Sequence, residues 1–188
     1  MMKKLAAALT LGLSLLAAPA FADTLTITDA TTLADPTYNR VLSGGAGLSA
    51  VGTAVHYQVT EFSVSQAGSY SFLLTGDSPV NWDTFLTLYT TFNAGAALDN
   101  DVASNDDFPT IGISGFSANL LAGTSYFAVV TGFDNEDVGA YTLKISGDGR
   151  VTEGAPGGVP EPSAWALMIL GFGATGTLLR RRQVAVAA

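Results

Sequence analysis

From residue 23 to residue 147 apolar and polar positions alternate with a period of two, in short runs, the pattern of strands that bury one face. Thr24-Leu25-Thr26-Ile27-Thr28 opens the series. Val55, Tyr57 and Val59 alternate next, and Phe62 and Val64 continue with the opposite parity, which predicts a bulge near Thr60-Glu61. Tyr70, Phe72 and Leu74 follow Gly68, so these two runs are expected to pair as a hairpin through Gln66-Ala67-Gly68. Residues 81–89 carry apolar groups on both faces, Leu86 and Leu88 opposite Phe85 and Tyr89, and are expected to be a central strand. Val102-Ala103-Ser104, then Phe116, Ala118 and Leu120, then residues 126–131, then Tyr141, Leu143 and Ile145 complete the set. Short strands every ten to twelve residues, with no helical period between them, predict an all-β domain folded as an antiparallel β-sandwich.

The two ends of the chain lack this alternation. Lys3 and Lys4 precede a largely apolar run over 5–16, and Ala20-Phe21-Ala22 has the small-x-small form cut by signal peptidase, with Ala20 and Ala22 as the small residues. This predicts a cleaved signal peptide over 1–22 and a mature chain from Asp23, or from Phe21 if Ala18-Pro19-Ala20 is used. At the other end, residues 163–179 contain no charge and would extend about 25 Å as a helix, close to the ~30 Å hydrocarbon core. A single transmembrane helix is expected there. Pro162 suits its first position, and Pro160 and Pro162 keep Val159 and Glu161 extended. Arg180, Arg181 and Arg182 follow at once; each costs about 3 kcal/mol at mid-membrane, so together they stop transfer on the cytoplasmic side. The expected organisation is signal peptide 1–22, sandwich domain 23–147, Gly/Pro linker 148–158, sorting segment 159–182, and cytoplasmic tail 183–188.

The run Val159-Pro160-Glu161-Pro162, the Trp165-Ala166-Leu167-Met168 start of the span and the arginine cluster together resemble the PEP-CTERM sorting signal. The resemblance implies recognition of Pro160-Glu161-Pro162 by an exosortase, a membrane protease that cuts near the motif. It implies export, an inner-membrane intermediate, and a final place at the cell surface or in the exopolysaccharide matrix of a Gram-negative bacterium. The alternative is a plain anchor that is never cut.

Composition narrows the partners. The 188-residue chain has no cysteine, which excludes disulfides, cysteine-ligated metals and thiol nucleophiles. Between residues 23 and 150 there are 14 acidic and 3 basic side chains, a net of −11. Such a surface repels nucleic acid and anionic lipid, leaving divalent cations and neutral glycans as small partners.

Four pieces of the domain, Trp82-Asp83-Thr84-Phe85-Leu86-Thr87-Leu88-Tyr89, Ala103-Ser104-Asn105-Asp106-Asp107, residues 121–127 and Gly139-Ala140-Tyr141-Thr142-Leu143, occur in an order that resembles the bacterial pre-peptidase C-terminal domain. That resemblance implies a jelly-roll-like sandwich without catalytic activity, some members of which bind calcium or matrix polymers.

Calcium is the sharpest candidate chemistry. Asp99, Asp101, Asp106 and Asp107, with Asn100 and Asn105, place oxygen donors in adjoining loops, and residues 134–137 hold more. No EF-hand spacing occurs, and Asp and Asn are also ordinary turn formers. No other cofactor is expected. Gly171-Phe172-Gly173-Ala174-Thr175-Gly176 has the letters of a dinucleotide fingerprint but sits in the expected span, so it reads as small-residue helix packing. His56 is the only histidine and no G-x-S-x-G elbow accompanies it, so no hydrolytic triad is expected. Trp82, Tyr38, Tyr57, Tyr70 and Tyr89 could stack on sugars if exposed, and fill the core otherwise. The reading is a non-catalytic exported protein; a calcium-dependent or carbohydrate-binding module, with exopolysaccharide as partner, is the alternative.

Overall fold

The computed structural model describes residues 23–78 and 82–155. The expected signal peptide, with Ala20 and Ala22, and the sorting segment, with Pro160, Glu161, Pro162, its helix at 163–179 and Arg180, Arg181 and Arg182, lie outside these residues. Ten strands occur in the order β1 (Asp23–Ala30), β2 (Thr37–Tyr38), β3 (Val55–Val64), β4 (Gly68–Ser78), β5 (Thr84–Tyr89), β6 (Asp101–Asn105), β7 (Ile113–Leu120), β8 (Ser125–Gly132), β9 (Ala140–Gly147) and β10 (Val151–Glu153). No helix occurs among the described residues, so none there is long and apolar enough to cross a membrane.

The strands form an antiparallel sandwich. One sheet has the order β1-β9-β4-β7, and the other β10-β3-β8-β5-β6, with β2 added beside β3. The core between them takes Leu25 and Ile27, Tyr70, Phe72 and Leu74, and Tyr141, Leu143 and Ile145 from the first sheet. Phe62 and Val64, Leu86 and Leu88, and Tyr126, Ala128 and Val130 meet them from the second. Burying this apolar surface drives the two sheets together.

A second core lies on the outer face of the larger sheet. Tyr38, Val41, Val55, Phe85, Tyr89, Ala97 and Val129 are buried there, with Tyr57 and Phe92 packed against them. The residues 31–54 and 90–100 cover this face, so β5 is buried on both sides along all six residues, as its composition predicts.

This second core corrects the expected bulge. β3 pairs with β8 in unbroken register from Tyr57↔Thr131 to Ser63↔Ser125. The parity changes because Val55 and Tyr57 feed the outer core, whereas Phe62 and Val64 feed the inner one. Each end of the strand buries a different face of a regular ladder.

The expected hairpin is also replaced. β3 and β4 lie in opposite sheets, facing across the core rather than sharing hydrogen bonds. β8 and β10 occupy the edges of β3 beside that turn, and β9 and β7 occupy those of β4. Finally, the sheet continues into the stretch expected to be linker from residue 148: Val151 pairs with Val64 and is buried in the core, so that part of 148–158 belongs to the domain.

Candidate functional site

Crossing connections bring three acidic loops to one end of the sandwich. Asp83 stands directly before β5, Asp106 and Asp107 follow β6, and residues 133–139 leave β8 beside them. The backbone N–H of Phe133 donates to the Asp83 carbonyl at 2.9 Å, tying the third loop to the first. Asp83, Asp106 and Asp107 present carboxylate oxygens that all lie within 4.8 Å of one another.

Two of these carboxylates each have one oxygen sealed from solvent. Asp83 Oδ1 and Asp106 Oδ1 are buried and accept no hydrogen bond among the described residues. A buried acceptor without a donor is costly, the more so when it is charged. Burial, aided by the neighbouring charges of Asp106, Asp107 and Asp137, pushes Asp83 up to about 6, against the opposing field of Arg40. Burial likewise pushes Asp106 up to about 6, reinforced by Asp107 and Asp137. Asp137 is raised too, chiefly by burial, although its Oδ2 accepts the Asp134 N–H at 3.0 Å.

Arg40 is the resident cation nearby, and it is fully buried. Its Nε and Nη2 donate to the Phe133 carbonyl at 2.9 and 2.6 Å, and Nη1 donates to the Val41 carbonyl at 3.0 Å. The guanidinium carbon sits 4.1 Å from the centroid of Phe85 and 4.7 Å from that of Phe133. These bonds hold it to backbone and rings, so it offsets the acidic charge through space without capping the orphaned oxygens.

The donor set suits one kind of ion. It holds carboxylate oxygen and no thiol or imidazole, which favours a hard cation such as calcium or magnesium over zinc or copper. Three carboxylates supply part of the six to eight oxygens calcium takes, leaving carbonyls and water for the rest.

The sequence-predicted ligands divide. Asp106 and Asp107 join this cluster, whereas Asp99 and Asp101 do not. Asp99 is exposed in the loop before β6. Asp101 begins β6 and points to the turn at Gly45, where an added Cβ would overlap its Oδ2. Asp106 lies five residue steps along the strand direction from Asp101, roughly 16 Å. Asp83, which sequence reasoning did not place among the ligands, completes the group; its one signal is the position directly before the strongest strand. Residues 134–137 lie beside the cluster through Asp137.

The remaining candidates sit in the cores or bond to backbone. Tyr38, Tyr70, Tyr89 and Trp82 are buried, and Tyr57 is half-buried edge-on between Tyr38 and Phe92, so none offers an open ring to a sugar. Trp82 donates from Nε1 to the Ala140 carbonyl at 2.9 Å. His56 uses Nδ1 on the Asp35 carbonyl at 2.8 Å.

Downstream of this folded unit the chain carries its sorting signal. Residues 158–183 match the PEP-CTERM protein-sorting motif. The motif implies an exported protein that transits the membrane of a Gram-negative bacterium, with exosortase as its processing partner. No curated protein matches the chain. Among solved structures it is similar to CBM35 from Cellvibrio japonicus Abf62, at 12% identity and a TM-score of 0.37, over 70% of this chain and 100% of that one. It is also similar to the K1 cleaved adhesin domain of Lys-gingipain from Porphyromonas gingivalis W83, at 15% identity and a TM-score of 0.31, over 72% of this chain and 99% of that one.

Proposed function

We propose that the chain is a non-catalytic protein of the cell surface or exopolysaccharide matrix, delivered by a signal peptide and released from its C-terminal anchor by exosortase. The observation that carries this is the PEP-CTERM match at 158–183, which follows directly on a folded acidic sandwich. The sandwich is read as a module similar to the pre-peptidase C-terminal domain, because the four pieces that carry that resemblance overlap β5, β6, β8 and β9 of one fold.

The test is the intact mass of the protein recovered from membrane and extracellular fractions. The secreted form should begin near Asp23 and end near Pro162. A secreted form that retains residues 163–188 would overturn the sorting account.

A second reading is favoured by the sealed oxygens of Asp83 and Asp106: the sandwich is completed by calcium at Asp83, Asp106 and Asp107. The ion would supply the positive charge that these acceptors lack, and Arg40 would hold the adjoining loop in place. Calcium at millimolar concentration should raise the melting temperature of the chain; an unchanged value would sink this reading.

A further inference from the structure

The fold leaves its two outer sheet faces unlike. The larger sheet is roofed by residues 31–54 and 90–100 over the second core. Among the described residues the outer face of the β1-β9-β4-β7 sheet bears no such roof beyond Phe108, which packs over Gly115 beside Leu73, and the ladders define what it displays. Thr24, Ser146, Ser71 and Ser117 stand in one row across the four strands. Thr28, Thr142 and Thr75 stand in a parallel row, and between the two lie Thr26, Lys144 and Leu73. Thr24, Thr26, Thr28, Ser71, Lys144 and Ser117 are exposed.

Two features separate this face from ordinary polar surface. It is nearly free of charge on a domain that carries −11 over residues 23–150: Lys144 stands at its centre, and Asp77 at one border accepts a hydrogen bond from Thr142 Oγ1 at 2.7 Å. Its hydroxyls are also regularly placed, at about 4.8 Å between strands and about 6.8 Å along them. Thr24 Oγ1 and Ser146 Oγ, 3.0 Å apart, already share a hydrogen bond across the ladder.

We propose that this face binds an uncharged, hydroxyl-rich polysaccharide laid across the four strands. Serine and threonine hydroxyls both donate and accept, as the hydroxyls of such a polymer do. An uncharged polymer meets no repulsion from the acidic domain, whereas a polyanion would. Lys144 adds a donor at the centre, and Leu73 beside it offers an apolar spot to sugar C–H groups. Individually weak contacts accumulate along a repeating chain. The proposal rests on the matrix reading of the domain and names the surface and class of polymer concerned.

The test is native gel electrophoresis of the full chain in neutral detergent, with hydroxyethylcellulose or alginate cast into the gel. Hydroxyethylcellulose should cut the mobility to roughly half or less of its polymer-free value, and alginate should not. The double variant Thr26→Glu, Ser71→Glu should lose the retardation. A charge-matched control, Ser43→Glu with Gln66→Glu, should keep it, and melting curves should show both variants folded. Retardation retained by the face variant, retardation by alginate alone, or none by either polymer would each overturn the proposal. A dimer in sedimentation velocity that the face variant breaks, without retardation in either gel, would assign the face to a second copy and overturn it likewise. The gel does not depend on where the chain is cut, so failure here and failure of the sorting account are separable.

Discussion

Arg40 donates two hydrogen bonds, from Nε and Nη2, to the single carbonyl oxygen of Phe133, 93 residues further along the chain. The bond joins the roof of the outer core to the loop that leaves β8. It therefore fixes the end of the sandwich where Asp83 and Asp106 meet.

Replacing Arg40 by methionine should cost about 3 kcal/mol, because it leaves buried carbonyls unsatisfied and removes the cation from between two rings. Arg40→Lys should recover little, since an ammonium lacks the planar fork that reaches Phe133 and Val41 while stacking on Phe85. Urea denaturation followed by tryptophan fluorescence measures both. A loss below about 1 kcal/mol for the methionine variant would show that the clamp is dispensable.

The acidic cluster sets an unusual pH dependence. Asp83 and Asp106, pushed up to about 6, retain protons in the folded state that the unfolded chain, with ordinary carboxylates near 4, has released. Their contribution to stability is therefore complete below about pH 4 and is lost as pH rises through about 6. Asp101 and Asp137, also raised by burial, act with the same sign. With a chelator present, the melting temperature should fall between pH 4.5 and 7, and Asp83→Asn or Asp106→Asn should flatten that fall. On the calcium reading, added calcium should restore more at pH 7 than at pH 5, and neither variant should respond. A chelated wild-type protein that gains stability across this interval would contradict the burial argument.

Gly147 closes the inner core against Tyr70. A Cβ built on Gly147 would overlap the Tyr70 ring, which is fully buried and whose hydroxyl donates to the Gln66 carbonyl at 2.8 Å. Gly147→Ala should therefore destabilise the domain by about 2 kcal/mol through displacement of that ring. The matched change Ser146→Ala, on the open side of the same strand, should stay within about 0.5 kcal/mol. Thermal melts of the two variants decide it.

The C-terminal boundary can be tested by truncation. Val151 is buried in the inner core, Arg150 N donates to Ser65 Oγ at 2.8 Å, and Gly154 N donates to the Glu61 carbonyl at 2.7 Å. A chain ending at residue 149 should be about 2 kcal/mol less stable than one ending at 155, from lost apolar burial and an open edge on β3. Equal melting temperatures would restore the linker boundary at 148.

Legibility in the sequence followed the range of the interaction concerned. The alternation Thr84, Leu86, Leu88 against Phe85, Thr87, Tyr89 is a local record of which way side chains point, and it placed β5 inside a sheet, where it lies. The parity change in β3 was equally visible but ambiguous, since a bulge and a second core leave the same trace. Only the cover provided by residues 31–54 distinguishes them. Turn residues at 65–68 announced a reversal, yet a reversal serves a hairpin and a crossing between sheets alike. The acidic site divided on the same ground: Asp106 and Asp107 are adjacent in the chain, whereas Asp83 reaches them only through the packing of β5 beside β6.

The all-β period, the acid excess of the domain and the sorting signal at 158–183 are legible along the chain, because each is a property of neighbouring residues or of simple sums over them. Packing settled which strands share a sheet, which carboxylates converge, and that residues 31–54 and 90–100 roof one outer face. Those outcomes depend on competition between distant segments for the same strand edges and apolar faces, and no local pattern records who wins it.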